Sequence, residues 1–166
     1  MNRRLAVAMM LVGFVGAGVA QTADQAKPNF AGTWKLNLQK SQMPDGMSPT
    51  SETNTISQTA DAVTVATVSE REQGKMSYTF TVKLDGTDTP LAADAFPADS
   101  MFRLLSSKAV WQGNSLIVTQ TTSFQDAKGT LTSTFSLSAD GKTLTKVTHI
   151  VFDQGAFDST SVYDKV

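Results

Sequence analysis

From residue 30 onward, apolar and polar residues alternate almost one for one, interrupted by short runs of glycine, proline, asparagine and aspartate. Successive side chains of a strand point to opposite faces, so a period of two specifies half-buried strands. No stretch of this region carries the 3.6-residue apolar stripe of an amphipathic helix. Phe30, Gly32, Trp34, Leu36 and Leu38 share one face of the first strand, and Ala31, Thr33, Lys35, Asn37 and Gln39 share the other. The clearest strand has Met76, Tyr78, Phe80, Val82 and Leu84 alternating with Ser77, Thr79, Thr81 and Lys83. Further strands are predicted over residues 52–59, anchored by Ile56, and over 62–70, where the apolar phase slips between Val65 and Ala66 and predicts a bulge. Others follow over 102–111, along Leu116, Val118, Gln120, Thr122 and Phe124, along Leu131, Ser133, Phe135 and Leu137, and over 143–152 and 156–163.

Tight turns separate these segments at Gln73-Gly74, Asp85-Gly86, Gln112-Gly113-Asn114, Asp140-Gly141 and Gln154-Gly155. Such turns join antiparallel neighbours. Sequential strands usually pair, and closure removes the exposed edges of Thr/Val-rich strands. The expected fold is therefore all-β, an antiparallel up-and-down barrel of about 8–10 strands. A β-sandwich is the alternative, since periodicity does not separate the two. Residues 39–51, with Pro44, Gly46 and Pro49, and residues 87–100, rich in Asp, Ala and Pro, lack the pattern and are candidates for a rim or lid.

The first twenty residues read as a cleavable signal peptide. Arg3 and Arg4 form a positive start, residues 5–19 are apolar apart from glycines, and Gly18-Val19-Ala20 places small residues where a signal peptidase reads them. The apolar run is shorter than the ~20 residues a membrane-spanning helix needs, and no later segment is apolar enough to span. The expected organisation is a leader over 1–20, a flexible lead-in over 21–29 and one domain over 30–166. The expected location is periplasmic or extracellular. Without Arg3 and Arg4 the chain keeps 12 basic against 15 acidic residues, a net charge of −3. With no basic run, a nucleic-acid partner has no electrostatic basis. The chain contains no cysteine, which excludes disulfides, thiolate metal sites and thiol nucleophiles.

The segment Phe30-Ala31-Gly32-Thr33-Trp34-Lys35-Leu36-Asn37, with Lys40-Ser41 after it, resembles the opening of lipocalin-like (calycin) barrels, in particular small exported bacterial proteins of uncharacterised function. Asp140-Gly141-Lys142-Thr143-Leu144-Thr145 resembles their penultimate hairpin. The resemblance implies that Gly32 and Trp34 form a structural plug at the barrel base. It implies that Trp34 packs against a basic residue from a late strand, for which Lys146 or Arg103 is available by position. It also implies a central cavity for a small apolar molecule. The chain departs from the family in having no cysteine pair and in placing polar residues on apparent inward faces.

If the barrel is open at one end, Tyr78, Phe80, Phe124 and Phe135 become ligand-lining, because small-molecule pockets are mostly apolar. Met76, Phe102, Leu116, Val118 and Leu137 read as core. His149 is the only histidine. It stands in a strand with no nucleophile-elbow serine nearby, and no catalytic residue is assigned. The pairs Asp85/Asp88 and Asp153/Asp158 flank turns, and Asp94 and Asp99 fall in the unpatterned stretch. None shows the density of a calcium loop, and no metal or other cofactor is expected. Met43 and Met47 read as soft apolar cover for the barrel mouth rather than as a copper(I) site.

Three functions are compatible with these residues. The leading one is an exported, non-catalytic protein that binds a small apolar or amphipathic molecule in its barrel. The alternative is a structural or protein-interaction module of the cell envelope with a filled core. The third is an enzyme using His149 or loop acids.

Overall fold

The computed structural model describes residues 26–72, 74–92, 96, 100–125 and 127–166. The expected leader lies outside the described residues. The alternating segments form ten strands: β1 (Gly32–Leu36), β2 (Ser51–Gln58), β3 (Ala62–Arg71), β4 (Gly74–Lys83), β5 (Thr89–Pro90), β6 (Phe102–Gln112), β7 (Ser115–Phe124), β8 (Ala127–Leu137), β9 (Thr143–Phe152) and β10 (Gly155–Lys165). They make one antiparallel sheet in the order β4-β3-β2-β1-β10-β9-β8-β7-β6-β5. Sequence neighbours pair except across the β4–β5 break, and β1 also pairs with β10, where Trp34 faces Lys165 and Leu36 faces Tyr163. That pairing wraps the sheet into a nearly closed up-and-down barrel rather than a sandwich. Across the remaining seam β4 contacts β6. The two-residue β5 lies in the stretch expected to be irregular.

The expected bulge in β3 is absent. Its register with β2 and β4 is unbroken, and Val63, Val65, Thr67 and Ser69 are all buried. The apparent slip arose because the inward face changes from valine to hydroxyl residues without changing phase. The irregularity lies instead in β6, between Leu104 and Ser106. The extra residue lets Leu104 and Ser107 both point inward while Leu105 faces out.

The base of the barrel is built around Trp34, which is completely buried. Its indole N–H donates to the Phe30 carbonyl at 2.8 Å, satisfying the one polar group of the side chain. Phe30 in turn stacks on Trp111 at 5.8 Å between ring centroids and meets Phe135 edge-on at 6.4 Å. The basic partner of Trp34 is neither Lys146 nor Arg103. It is Lys165, whose ammonium sits 5.1 Å from the ring centroid. The β1–β10 register decides this, because it puts Lys165 directly opposite Trp34. Gly32 makes the contact feasible: a Cβ there would lie 2.9 Å from Lys165 Cε, and the backbone φ of +142° disfavours a side chain as well. The glycine and tryptophan two residues apart thus serve one contact.

The β1–β2 connection contains no regular helix. It is held across one end of the barrel by two backbone hydrogen bonds between Gln42 and Thr160, each 2.7 Å. Arg71 Nη1 also donates to the Met47 carbonyl at 2.7 Å. In the other unpatterned stretch Phe96 is buried, stacked on Tyr78 at 4.8 Å and edge-on to Phe102 at 6.4 Å. Among the described residues no helix is long and apolar enough to cross a membrane.

Candidate functional site

On β2, β3 and β9 the inward face starts apolar at the Trp34 end and becomes polar toward the other end, whereas on β4 it stays apolar through Val82, Phe80 and Tyr78. In β2 it runs Ile56, Asn54, Glu52, and in β3 Val65, Thr67, Ser69 and Arg71. In β9 it runs Leu144, Lys146, Thr148. The mixture encloses a cavity of about 200 Å³. Ile56, Val65, Phe80 and Phe135 form its apolar floor, below which the space tapers to about 10 Å³ among Phe30, Val63, Val82 and Leu116. Met43, Pro44, Met47 and Pro49 from the β1–β2 connection lie at its rim with Phe102 and Phe157.

On the β2–β10–β9 side of the wall a charged cluster faces this space. Glu52 Oε1 accepts a hydrogen bond from the Tyr163 hydroxyl at 2.6 Å and one from Asn54 Nδ2 at 3.3 Å. Lys146 Nζ stands 3.8 Å from the same oxygen and 5.4 Å from the centre of the Tyr163 ring. Asn54 Oδ1 accepts from the Thr67 hydroxyl at 2.6 Å, fixing the amide. The side chains of Lys146 and Glu52 are 23% and 12% exposed, so the pair is poorly screened by solvent.

Burial on its own would raise the Glu52 carboxyl. The Lys146 charge, the hydrogen bonds from Tyr163 and Asn54 and the more distant Arg71 outweigh it and hold the group below its ordinary 4.5. Burial would likewise lower the Lys146 ammonium, but Tyr163, Glu52 and Tyr78 hold it above its ordinary 10.5. The Tyr163 phenol is pushed up to about 12, first by burial and then by the adjacent carboxylate, with Lys146 opposing. Both shifts favour the charged forms, so Lys146 and Glu52 face the cavity as an ion pair. The cluster can orient and hydrogen-bond a polar group, which is a task of binding.

The same shifts set a pH dependence. Glu52 is lower in the folded state, so its contribution is present above about pH 4.5 and is lost as pH falls through the folded value. Tyr163 is higher, so its contribution is complete below its ordinary 10.0 and is lost as pH rises toward 12. Two units correspond to about 3 kcal/mol. Urea midpoints measured from pH 3 to 12 should fall on both sides, and Tyr163→Phe should shrink the alkaline fall. An alkaline limb unchanged by that substitution would show that Tyr163 does not carry it.

Of the residues expected to line a ligand site, Tyr78, Phe80 and Phe135 face the cavity. Phe124 does not. It has the inward parity of β7, but the buried face of that strand ends at Thr122, and Phe124 lies at the strand end paired with Phe102 and Ala127, 45% exposed. Gly32 and Trp34 sit at the base, away from the cavity. Met43 and Met47 are at its rim. His149 is on the outer face, with Nδ1 2.6 Å from Asp158 Oδ1, so it has no access to the interior. Asp85 caps its turn by accepting from the Thr87 N–H at 2.8 Å. Asp94 and Asp99 lie outside the described residues. Among the described residues no group of three or more His, Asp or Glu is placed to hold a metal. Glu52 and Arg71 escaped sequence reasoning, and Gln120 and Lys146 were not read as lining a cavity. Their signal was a polar or charged residue at inward parity beside an apolar anchor: Lys146 two residues from Leu144, and Glu52 four from Ile56.

No protein-family model matches the sequence, and no curated protein matches it. Solved structures do. The zebrafish ileal bile acid-binding protein, crystallised with cholic acid, is similar with a TM-score of 0.53 and 15% identity over 82% of this chain and 98% of that one. A Schistosoma mansoni fatty acid binding protein in complex with arachidonic acid gives 0.49 and 19% over 82% and 96%. Secretory abundant heat soluble protein 4 from Ramazzottius varieornatus gives 0.48 and 15% over 86% and 99%. At 15% identity the likeness to the first of these is one of fold alone, an antiparallel up-and-down barrel.

Proposed function

We propose that the protein is an exported, non-catalytic carrier that holds one small amphipathic molecule in its barrel. The observation that carries this reading is the cavity of about 200 Å³, apolar at its floor and polar along one wall. Ligand pockets have this division of apolar area and a few oriented polar groups. The volume is below the roughly 300–1,000 Å³ of sites for drug-sized molecules, which favours a compact ligand. Tyr78, Phe80 and Phe135 would hold its apolar part, and the Lys146–Glu52–Tyr163 cluster would face its polar part. That a protein of like fold was crystallised with cholic acid agrees with this reading at the level of architecture. Export rests on Arg3, Arg4, the apolar run over 5–19 and Gly18-Val19-Ala20.

Native mass spectrometry of protein purified gently from its own host is expected to show one retained small molecule per chain. Ser159→Phe, which fills the cavity from β10, is expected to abolish retention while leaving the barrel folded. Repeatedly empty spectra would overturn the carrier reading in favour of an envelope module with a filled core.

A further inference from the structure

Among the described residues, three buried side-chain atoms have no hydrogen-bond partner: Ser69 Oγ, Ser107 Oγ and Gln120 Nε2. Two of the three are neighbours. Ser107 on β6 and Gln120 on β7 are directly opposed in the antiparallel register and point inward from adjacent strands. Ser107 is fully buried and Gln120 is 4% exposed. Gln120 lines the cavity. Its neighbours on the inward face are apolar or already engaged: Val118 and Leu131 offer no acceptor, and the Thr122 hydroxyl donates to the Arg103 carbonyl at 2.8 Å. A buried donor left unpaired costs free energy, and native interiors rarely leave two side by side.

We propose that Gln120, with Ser107 opposite it on β6, forms a second polar pole of the cavity, which receives a neutral acceptor oxygen of the ligand, such as a ketone, ester, amide or alcohol oxygen. The reading rests on the barrel being a carrier and says which class of molecule it carries. The unpaired atom of Gln120 is a donor, so the missing group is an acceptor. A neutral oxygen fits best because no cation stands beside Gln120 in the sheet: its cross-strand neighbours are Ser107 and Leu131, and Lys146 is paired with Glu52. A carboxylate against Gln120 and Ser107 would be buried without a counter-charge. A plain hydrocarbon would leave the Gln120 donor unpaired. The ligand is thus expected to carry an oxygen that reaches the β6–β7 wall, distinct from any group facing Lys146.

The test compares 2-octanone with 1-octene, two probes of similar length that differ in the oxygen, by NMR titration of wild type, Gln120→Met and Ser107→Ala. Wild type should bind the ketone about tenfold more tightly than the alkene, with the Gln120 side-chain amide resonances shifting on ketone addition. In Gln120→Met the preference should fall to near unity while the alkene still binds. Without ligand, Gln120→Met should melt at or above the wild-type temperature, since it removes an unpaired donor at similar length. A preference that survives in Gln120→Met, or equal binding of both probes by wild type, overturns the assignment while leaving the carrier reading in place. Failure of wild type to bind either probe overturns both. A marked fall in the melting temperature of ligand-free Gln120→Met would show that the amide already has a partner in the protein, and would also overturn it.

Discussion

Glu52→Leu is expected to destabilise the protein by roughly 3–4 kcal/mol, because it leaves the Lys146 ammonium inside the barrel without its counter-charge. It also removes the acceptor used by the Tyr163 hydroxyl and by Asn54. The companion Glu52→Leu/Lys146→Met should recover most of the loss, since a buried ion pair exchanged for apolar groups of similar volume is close to neutral. The difference between the double variant and the sum of the singles, read from urea unfolding, measures the coupling directly. A loss below about 1 kcal/mol in the single variant would mean that the lysine reaches solvent through the mouth. The cluster would then be a surface pair, and its place in the ligand site would fall with it.

Trp34→Ala should cost about 4 kcal/mol, the middle of the range for deleting a large buried aromatic side chain. The site cannot collapse easily, since Trp34 is held from the barrel interior and by Lys165 from the end. Trp34→Phe should cost about half as much, combining lost volume with a Phe30 carbonyl deprived of its donor. Lys165→Met keeps the stem that covers the ring and removes the charge, so it should cost about 1 kcal/mol or less. Thermal unfolding of the three variants would order them. If Trp34→Ala lost less than 2 kcal/mol, the tryptophan would be filler rather than the keystone of the base.

The strands were legible because a period of two survives even where residues are small and polar, as in the Thr- and Ser-rich β8. The choice between barrel and sandwich was not, because it turns on β1 meeting β10, and no local pattern reports a contact between Trp34 and Lys165. The same register explains why the basic partner of Trp34 was sought on the wrong residues. Faces were hard to assign wherever both carry β-branched side chains. In β9, Val147 and Val151 point outward and Lys146 inward, the reverse of what hydropathy alone suggests. Parity also carries no information about where a strand leaves the barrel, which is why Phe124 was grouped with Phe80 and Phe135. The aromatic floor of the cavity was readable from alternation. Its charged wall would have required treating Glu52 and Lys146 as inward because of their spacing from Ile56 and Leu144, against the expectation that charges face water.

The pairing of β1 with β10 has a consequence in time as well as in space. Six of the strand contacts are tight hairpins between chain neighbours, β2–β3, β3–β4 and the four from β6–β7 to β9–β10, and these can form early as the chain emerges. The β1–β10 ladder joins residues 131 positions apart, Trp34 to Lys165, so its loop-closure entropy is met last. Until β10 is available the first strand has one neighbour instead of two, and Trp34 lacks its lysine. The hairpins can thus be in place while the barrel still stands open, and closure waits on β10.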